Sequence, residues 1–333
     1  VLGYTGKPDS YYRAIINWVK QRYDLDVTKE MINFVPGIVP GIGMAMNSFT
    51  RPGDKVMIQP PVYHPFAWVT TRNERTLVTN PLKWENGMYR MDLDAFREQV
   101  KGCKLFILCN PHNPGGVVWT EDELRTVAEI CYEEKVLVFS DEIHADLTLP
   151  PYKHRPFATI SEKAKMNSVT FMSPSKAFNM PGLAASHAII FNEDLRARFR
   201  KFMDAGELDM GHVFAFLSVE AAYTHGTEWL DQCLAYIQGN IDYVDNFLKT
   251  HAPRIKAIRP QASYLVWLDC RELGLNQEAL NDFFADKAHL ALNDGAMFGK
   301  EGTGYMRLNV ASPRSVIEQA MKQLAEAYQA MSF

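Results

Sequence analysis

The chain has 333 residues, 47% of them hydrophobic, so it can bury a large core, and it is longer than one compact core usually holds. Its net charge of −4 offers no basic surface for nucleic acid. No apolar run reaches membrane-spanning length, and no signal-peptide pattern is seen. We therefore expect a cytoplasmic protein of two domains, with neither a nucleic-acid nor a membrane partner.

The first elements follow from apolar spacing. A helix is predicted over Tyr11–Tyr23, and a short strand over Met31–Val35 is followed by an apolar helix that ends near Phe49. The segment 36–41, which holds Gly37, opens that second helix. A glycine-bearing turn at a helix start presents free backbone N–H groups, so it predicts an anion site, although the signal is weak alone.

Strands and helices then alternate along the chain. Such alternation predicts right-handed crossovers and a mainly parallel sheet with helices on both faces. The predicted strands are Lys55–Ile58, Thr76–Thr79, Lys104–Cys109, Val136–Ser140, Ser168–Met172 and His187–Phe191. One predicted helix begins near Pro60, and two more cover Asp92–Val100 and Glu121–Glu133.

The last third of the chain predicts a smaller unit. Helices are expected near Asp194–Met203, Val213–Tyr223 and Glu228–Thr250, the last of which is long enough to bridge two domains. Strands Ile255–Ile258, Tyr264–Leu268 and Gly304–Val310 and helices Gln277–Lys287 and Ser315–Met331 follow. We predict a large domain over residues 1–238 and a small α+β C-terminal domain over 239–333.

The five cysteines are odd in number and scattered without the spacing of metal ligands. The pattern predicts free, mostly buried thiols in a reducing compartment and no metal site. They are Cys103, Cys109, Cys131, Cys233 and Cys270.

Three polar turns follow apolar strands: residues 110–116, 140–144 and 173–182. The carboxyl ends of parallel strands share one edge of a sheet, where open α/β sheets bind ligands. Lys176 lies in the third turn between Ser173, Ser175 and a Pro-Gly pair. A lysine is rarely buried without a partner, so we expect it to meet an anionic or carbonyl-bearing group, unless it is an ordinary surface lysine.

Together these turns resemble the signature of the fold-type I enzymes that use pyridoxal 5′-phosphate (PLP), the aspartate aminotransferase superfamily. Asp141-Glu142-Ile143-His144, followed by Ser-x-Ser-Lys-x-Phe-Asn, is similar to its cystathionine β-lyase or C–S lyase (MalY/PatB-like) branch. The resemblance covers essentially the whole chain and places its start after an N-terminal segment of several dozen residues. It implies an α/β fold with a mainly parallel sheet in a large domain, a smaller α+β domain, and PLP as cofactor.

The resemblance also implies roles for residues around the cofactor ring. Lys176 would bind PLP covalently and then act as general base at the substrate Cα. Asp141 would keep the pyridine nitrogen protonated, and Asn113 would donate to the 3′ oxygen. His144 would lie beside that oxygen, where many aminotransferases have tyrosine, and Tyr63 would stack on the ring.

At the phosphate, the resemblance implies a backbone cradle at Gly37, Ile38 and Val39 and hydroxyl donors at Ser173 and Ser175. Eight residues after the lysine, many aminotransferases have an arginine that binds the phosphate, whereas this chain has alanine. That departure argues against a plain aminotransferase and agrees with the lyase branch.

Two residues are implied at the ends of the site. Tyr4 matches a tyrosine that reaches the phosphate of the neighbouring subunit, which requires a homodimer with shared active sites. Arg307 resembles the arginine whose planar fork binds the substrate α-carboxylate.

Each of these residues also has a plain structural alternative. Asp141 could be a strand-end cap, and Asn113 and the two serines could be ordinary turn residues. His144 could be a structural histidine, and Tyr63 could be a core aromatic. Tyr4 could be an aromatic residue in a loop, and Arg307 could be a surface strand residue.

The prediction is a PLP-dependent β-lyase that acts on the C–S bond of cysteine conjugates such as cystathionine, a small-molecule amino-acid substrate, giving thiol, pyruvate and ammonia. An aminotransferase that uses the same residues is the main alternative, because both reactions begin with the same proton transfer. A PLP-fold protein that regulates or binds a partner is a third.

Overall fold

The computed structural model describes residues 3–331. Its centre is a seven-stranded sheet of order β1-β9-β8-β7-β6-β2-β3, in which β3, β2, β6, β7 and β8 are parallel and β9 is antiparallel to both of its neighbours. The strands are β1 (Ile32–Val35), β2 (Lys55–Ile58), β3 (Thr76–Thr79), β6 (Cys103–Cys109), β7 (Leu137–Asp141), β8 (Ser168–Met172) and β9 (Ser186–Ile189). The predicted mainly parallel sheet is confirmed.

Within residues 3–331, six further strands lie outside this sheet. A hairpin consists of β4 (Lys83–Glu85) and β5 (Met88–Arg90), and an antiparallel sheet of order β10-β11-β13-β12 forms later in the chain. The strands of the second sheet are β10 (Lys256–Ile258), β11 (Leu265–Asp269), β12 (Asn293–Asp294) and β13 (Tyr305–Asn309).

The helices pack on both sheets. They are α1 (Asp9–Tyr23), α2 (Ile38–Phe49), α3 (Pro65–Arg72), α4 (Leu93–Gln99), α5 (Glu121–Glu133), α6 (Glu162–Met166), α7 (Glu193–Ala205), α8 (Val213–His225), α9 (Thr227–His251), α10 (Gln277–Asp282) and α11 (Arg314–Gln329). None of the helices between residues 3 and 331 is both long enough and apolar enough to cross a membrane.

The parallel strands are buried on both faces, since β6, β7 and β8 are almost wholly buried and rich in Val, Ile, Leu and Phe. Their carboxyl ends therefore meet at one edge, where the chain can leave the sheet only through turns. The largest cluster of buried apolar side chains includes members of both sheets, such as Met172 from β8 and Leu308 from β13. The two sheets are thus held together by packing beside that edge.

The predicted boundary between residues 238 and 239 falls within α9, and the whole second sheet follows it. The division into two domains stays a prediction, and its outer limits at residues 1 and 333 lie outside the described residues.

Several details differ from the sequence analysis: α6 and β12 were not predicted, and the helix predicted to begin near Pro60 begins at Pro65. The β4–β5 hairpin was missed; its turn is Asn86-Gly87, both with positive φ, the backbone conformation that Asn-Gly favours. The predicted helix Gln277–Lys287 is α-helical only as far as Asp282 and widens to a π-helical turn over Phe283–Lys287.

Candidate active site

A pocket of about 390 Å³ lies at the carboxyl ends of the parallel strands. Ten of the twelve predicted site residues line it: Gly37, Ile38, Val39, Tyr63, Asn113, Asp141, His144, Ser175, Lys176 and Arg307. Ser173 and Tyr4 are not among its lining residues.

Lys176 lies in a tight turn directly after β8. Phe178 N donates to Pro174 O over 2.8 Å, and Met180 N donates to Ser175 O over 2.9 Å, so the backbone on both sides of the lysine is fixed. Burial lowers the pKa of the half-buried Lys176 amine, the Arg307 cation lowers it further, and Asp141 opposes this shift. A lowered pKa leaves more of the free amine that a nucleophile or a general base requires.

Asp141 is the last residue of β7 and is buried. Its Oδ1 accepts a hydrogen bond from Ile143 N at 3.1 Å. Burial raises the pKa of Asp141 to about 7, although that hydrogen bond and the Lys176 cation lower it. A buried carboxylate whose pKa is this high favours a cationic partner, because a nearby positive charge stabilises its ionised form.

Asn113 follows β6 and is held by three contacts. Its backbone N–H donates to Cys109 Sγ at 3.4 Å, its carbonyl accepts from Tyr63 N at 3.0 Å, and its side-chain Oδ1 accepts from Arg307 Nη1 at 2.9 Å. With Oδ1 occupied, the amide Nδ2 group is the donor that Asn113 can offer to the pocket.

Arg307 is the central residue of β13, and its guanidinium is fixed on several sides. Nη2 donates to Asn293 Oδ1 at 2.7 Å, and Cζ lies 4.6 Å from the ring centroid of Phe298. The buried Nε has no hydrogen-bond partner among the described residues. Burial lowers the pKa of Arg307 to about 10, so it stays a cation at neutral pH with an edge available for a carboxylate.

His144 is buried beside the pocket, and its Nδ1 has no hydrogen-bond partner within residues 3–331. Burial lowers its pKa to about 3, with Lys176 and Arg307 acting in the same direction. His144 is therefore a neutral imidazole at any physiological pH, and it can accept or donate one hydrogen bond in the pocket.

The opposite end of the pocket is built by the start of α2. Gly37 has φ of 138°, which a residue with a side chain rarely adopts, and it directs the chain from β1 into the helix. The first-turn N–H groups of Ile38 and Val39 have no acceptor within the helix, so this end can hold an anion. Ala184 and Ser175 also line the pocket, and the alanine confirms that no guanidinium enters from position 184.

Ser173 is buried, and its hydroxyl is used by the turn itself. Oγ donates to Ala185 O at 2.7 Å and accepts from Ser175 N at 3.1 Å. A hydroxyl has one proton to donate, so Ser173 cannot donate to a phosphate while it keeps the bond to Ala185. Its predicted role as a phosphate ligand therefore lacks support from its position.

Tyr4 is fully exposed and lies away from the pocket of its own chain. Four further residues line the pocket although no sequence pattern marked them as site residues: Cys109, Ser186, Tyr264 and Asn293. Tyr264 begins a predicted strand and Ser186 directly precedes another, positions that could have marked them. Asn293 sits on a two-residue strand that is too short for any pattern to reveal.

The donor set suits one kind of ligand. An amine, a carboxylate with a raised pKa, an amide donor, an aromatic ring and a helix start surround one space, and an arginine closes it. In that order, these five groups match the aldehyde, the ring nitrogen, the ring oxygen, the ring face and the phosphate of PLP. The arginine is left to bind a substrate carboxylate.

Comparisons with known proteins agree with this geometry. The family model for aminotransferase class I and II matches residues 3–324. Cystathionine β-lyase PatB of Bacillus subtilis is 38% identical over 98% of this chain and 85% of its own length, and protein MalY of Escherichia coli is 30% identical over 99% and 85%. The structure of cystalysin from Treponema denticola, which contains PLP, superposes with a TM-score of 0.97 at 35% identity, covering all of this chain and 85% of that one.

Proposed function

Since this chain belongs to the aminotransferase class I and II family, we propose that its pocket breaks the C–S bond of cysteine conjugates by β-elimination. The fold is that of the fold-type I PLP enzymes, and the chain is a PLP-dependent carbon–sulfur lyase, in line with its similarity to a cystathionine β-lyase and to the PLP-containing cystalysin. One observation carries the proposed site: Asp141 at the end of β7, Lys176 in the turn after β8 and Arg307 in the middle of β13 converge on a single pocket.

We assign the cofactor contacts from the positions of the side chains. Lys176 would hold the aldehyde carbon, Asp141 the ring nitrogen and Asn113 Nδ2 the ring oxygen. Tyr63 would cover one face of the ring, and the start of α2 would hold the phosphate. When bound, PLP supplies an electron sink for the electron pair left on the substrate Cα.

The remaining chemistry belongs to the chain. Arg307 would hold the substrate α-carboxylate and so fix the direction of the Cα–H bond. Lys176 would then take the proton from Cα. As the Cα–Cβ double bond forms, the C–S electrons leave with sulfur, and a proton converts the thiolate to the thiol. Addition of one water to the remaining three-carbon fragment gives pyruvate and ammonia, which balances the reaction.

Asp141 would act by charge. A pyridinium beside its buried carboxylate would lower the pKa of Asp141 from about 7 and keep the pair ionised. Neutral His144 carries no charge that would compete with this pair.

Product analysis with L-cystathionine tests the reaction. We expect homocysteine, pyruvate and ammonia without any added keto acid. If turnover instead requires 2-oxoglutarate and releases no thiol, the enzyme is an aminotransferase and not a lyase. The same residues could catalyse that reaction.

We also propose a cytoplasmic homodimer with shared sites. Tyr4 is fully exposed, and the apolar helix α8 presents Phe214 and Leu217 to the outside, each about half exposed, as a surface that a second copy could cover. The five thiols are free, which suits a reducing compartment.

A further inference from the structure

A second cavity, of about 280 Å³, adjoins the pocket; we call it the side cavity. The two share Lys176, Tyr264 and Asn309, so they meet at these three residues. Arg307 lines the pocket but not the side cavity. A substrate held by its carboxylate at Arg307 and by its Cα at Lys176 can therefore direct its third substituent, the side chain, into the side cavity.

One wall of the side cavity is a face of helix α9. Trp229, Cys233, Tyr236 and Ile237 line it, at the spacing of i, i+4, i+7 and i+8 that places side chains on the same face of a helix. The Trp229 ring stacks on Phe178, with centroids 5.7 Å apart and an interplanar angle of 24°. Phe178 is two residues after the lysine, so the aromatic wall is tied to the reactive turn.

The charge of the lining is as informative as its shape. Of the thirteen side-cavity residues, all within the described part of the chain, Lys176 alone is charged. The group that leaves cystathionine carries an ammonium and a carboxylate, and the side cavity has no acidic side chain for the first and no second cation for the second. The aromatic walls formed by Trp229 and Tyr236 are about half exposed, and they favour an apolar substituent over one whose charges find no partner in the lining.

We propose that the side cavity receives an apolar alkyl or aryl group attached to the substrate sulfur, and that Trp229 and Cys233 select for it. The preferred substrates are then S-alkyl and S-aryl conjugates of L-cysteine rather than cystathionine. This inference rests on the proposed β-lyase activity, and it adds which thiols the enzyme releases.

The first test fills the side cavity. Thiol release from S-benzyl-L-cysteine and from S-methyl-L-cysteine is measured for the holoenzyme and for Cys233→Phe, with Cys233→Ser as the matched control of similar size. We expect Cys233→Phe to lower the ratio of kcat/KM for benzyl over methyl about tenfold or more, because an occupied apolar site rejects added volume. Cys233→Ser keeps a ratio near that of the parent. An unchanged ratio in a folded Cys233→Phe variant would overturn the proposal.

A second variant guards against misfolding of the first. Trp229→Ala removes a side chain that is 49% exposed, and Tyr132→Ala, also at 49% exposure but on helix α5, is its control. We expect the benzyl-to-methyl ratio to fall on the order of tenfold in Trp229→Ala and to stay within about twofold in Tyr132→Ala. Equal ratios in both variants would contradict a role for the side cavity.

The parent enzyme provides the last arm. Its kcat/KM for S-benzyl-L-cysteine is expected to exceed that for L-cystathionine, and a higher value for cystathionine would contradict the proposal. If no conjugate releases thiol, the β-lyase activity itself is wrong. If every conjugate is cleaved but the variants leave the ratio unchanged, only the side cavity is wrong.

Discussion

Arg307 donates a hydrogen bond from Nη1 to Oδ1 of Asn113 over 2.9 Å, which joins the second sheet to a turn of the first. The bond also orients the amide, so that Asn113 Nδ2 is the group left to donate into the pocket. The proposed carboxylate anchor and the proposed contact to the cofactor ring are therefore coupled through a single side chain.

The first prediction concerns this anchor. Arg307→Lys should raise KM about tenfold to a hundredfold for every amino acid tested, because an ammonium cannot reproduce the bidentate fork to a carboxylate. Steady-state kinetics with several conjugates measures the effect. Asn293→Ala, which removes only the Nη2 acceptor, should raise KM less. If KM rose only for substrates with one particular side chain, Arg307 would not be the residue that binds the α-carboxylate.

The second prediction concerns the cofactor link. Lys176→Ala should lose the visible absorbance of the bound cofactor, which borohydride bleaches in the parent, because no other described lysine lines the pocket. Lys322→Ala, an exposed lysine of α11, serves as the control and should keep the absorbance. Peptide mapping after reduction should place the pyridoxyl group on Lys176, and a label on any other lysine would remove this assignment.

Much of the pocket could be predicted because local sequence determines it. Asp141 ends one buried apolar strand and Lys176 lies in the turn after the next, and parallel strands bring such ends to one edge whatever their separation in the chain. Tyr264 and Asn293 were missed because they reach the pocket only through the packing of the second sheet. The role of Ser173 at the phosphate stays a prediction, and sequence could not show that its hydroxyl already donates to Ala185 O.

The fold shows the same division. The β4–β5 hairpin was missed although Asn86-Gly87 is a strong local turn signal, since strands of three residues carry too little alternation to stand out. The helix that starts at Gln277 ends in a π-helical turn in which Phe283 and Phe284 are buried, and no local sequence pattern predicts that widening.

The third prediction uses the charge of Asp141. Asp141→Asn should still bind PLP but lose turnover on the order of a hundredfold or more, because an amide does not stabilise the positive charge on the ring nitrogen. Absorbance reports the bound cofactor, and pyruvate release reports turnover. Near-normal turnover in this variant would exclude Asp141 from the mechanism.

The fourth prediction concerns pH and the cofactor-free protein. The pKa of Asp141 is 3.8 unperturbed and about 7 when buried, so the folded state favours its neutral form. Ionising Asp141 therefore lowers the free energy of unfolding. This loss is absent below pH 4, grows as the pH rises from 4 to 7, and reaches its full size above pH 7. Asp141→Asn removes this penalty.

Without cofactor, Asp141→Asn should therefore have a larger free energy of unfolding than the parent at pH 8, on the order of 4 kcal/mol, with the difference shrinking toward pH 4. Urea unfolding at several pH values measures it. A variant that is less stable than the parent at pH 8 would show that the carboxylate is favourably paired in the folded protein.

The fifth prediction is that the active unit is a dimer in which Tyr4 completes the site of the neighbouring subunit. Tyr4 is fully exposed on its own chain, and the pocket has alanine at position 184, so a phosphate there would need a donor from elsewhere. Tyr4→Phe should weaken PLP retention during dialysis, whereas Tyr132→Phe, another exposed tyrosine, should not.

Mixing provides the decisive arm. The two variants Tyr4→Phe and Lys176→Ala are mixed at a PLP concentration where Tyr4→Phe is inactive. Each variant lacks one of the two residues that a site needs, but a hybrid dimer has one site in which both residues are intact. Random exchange makes about half of the dimers hybrids, so about a quarter of all sites, and of the parent activity, should return. Neither variant should recover activity when incubated alone. An enzyme that sediments as a monomer at full activity, or a mixture that stays inactive although exchange is demonstrated, would contradict the shared site.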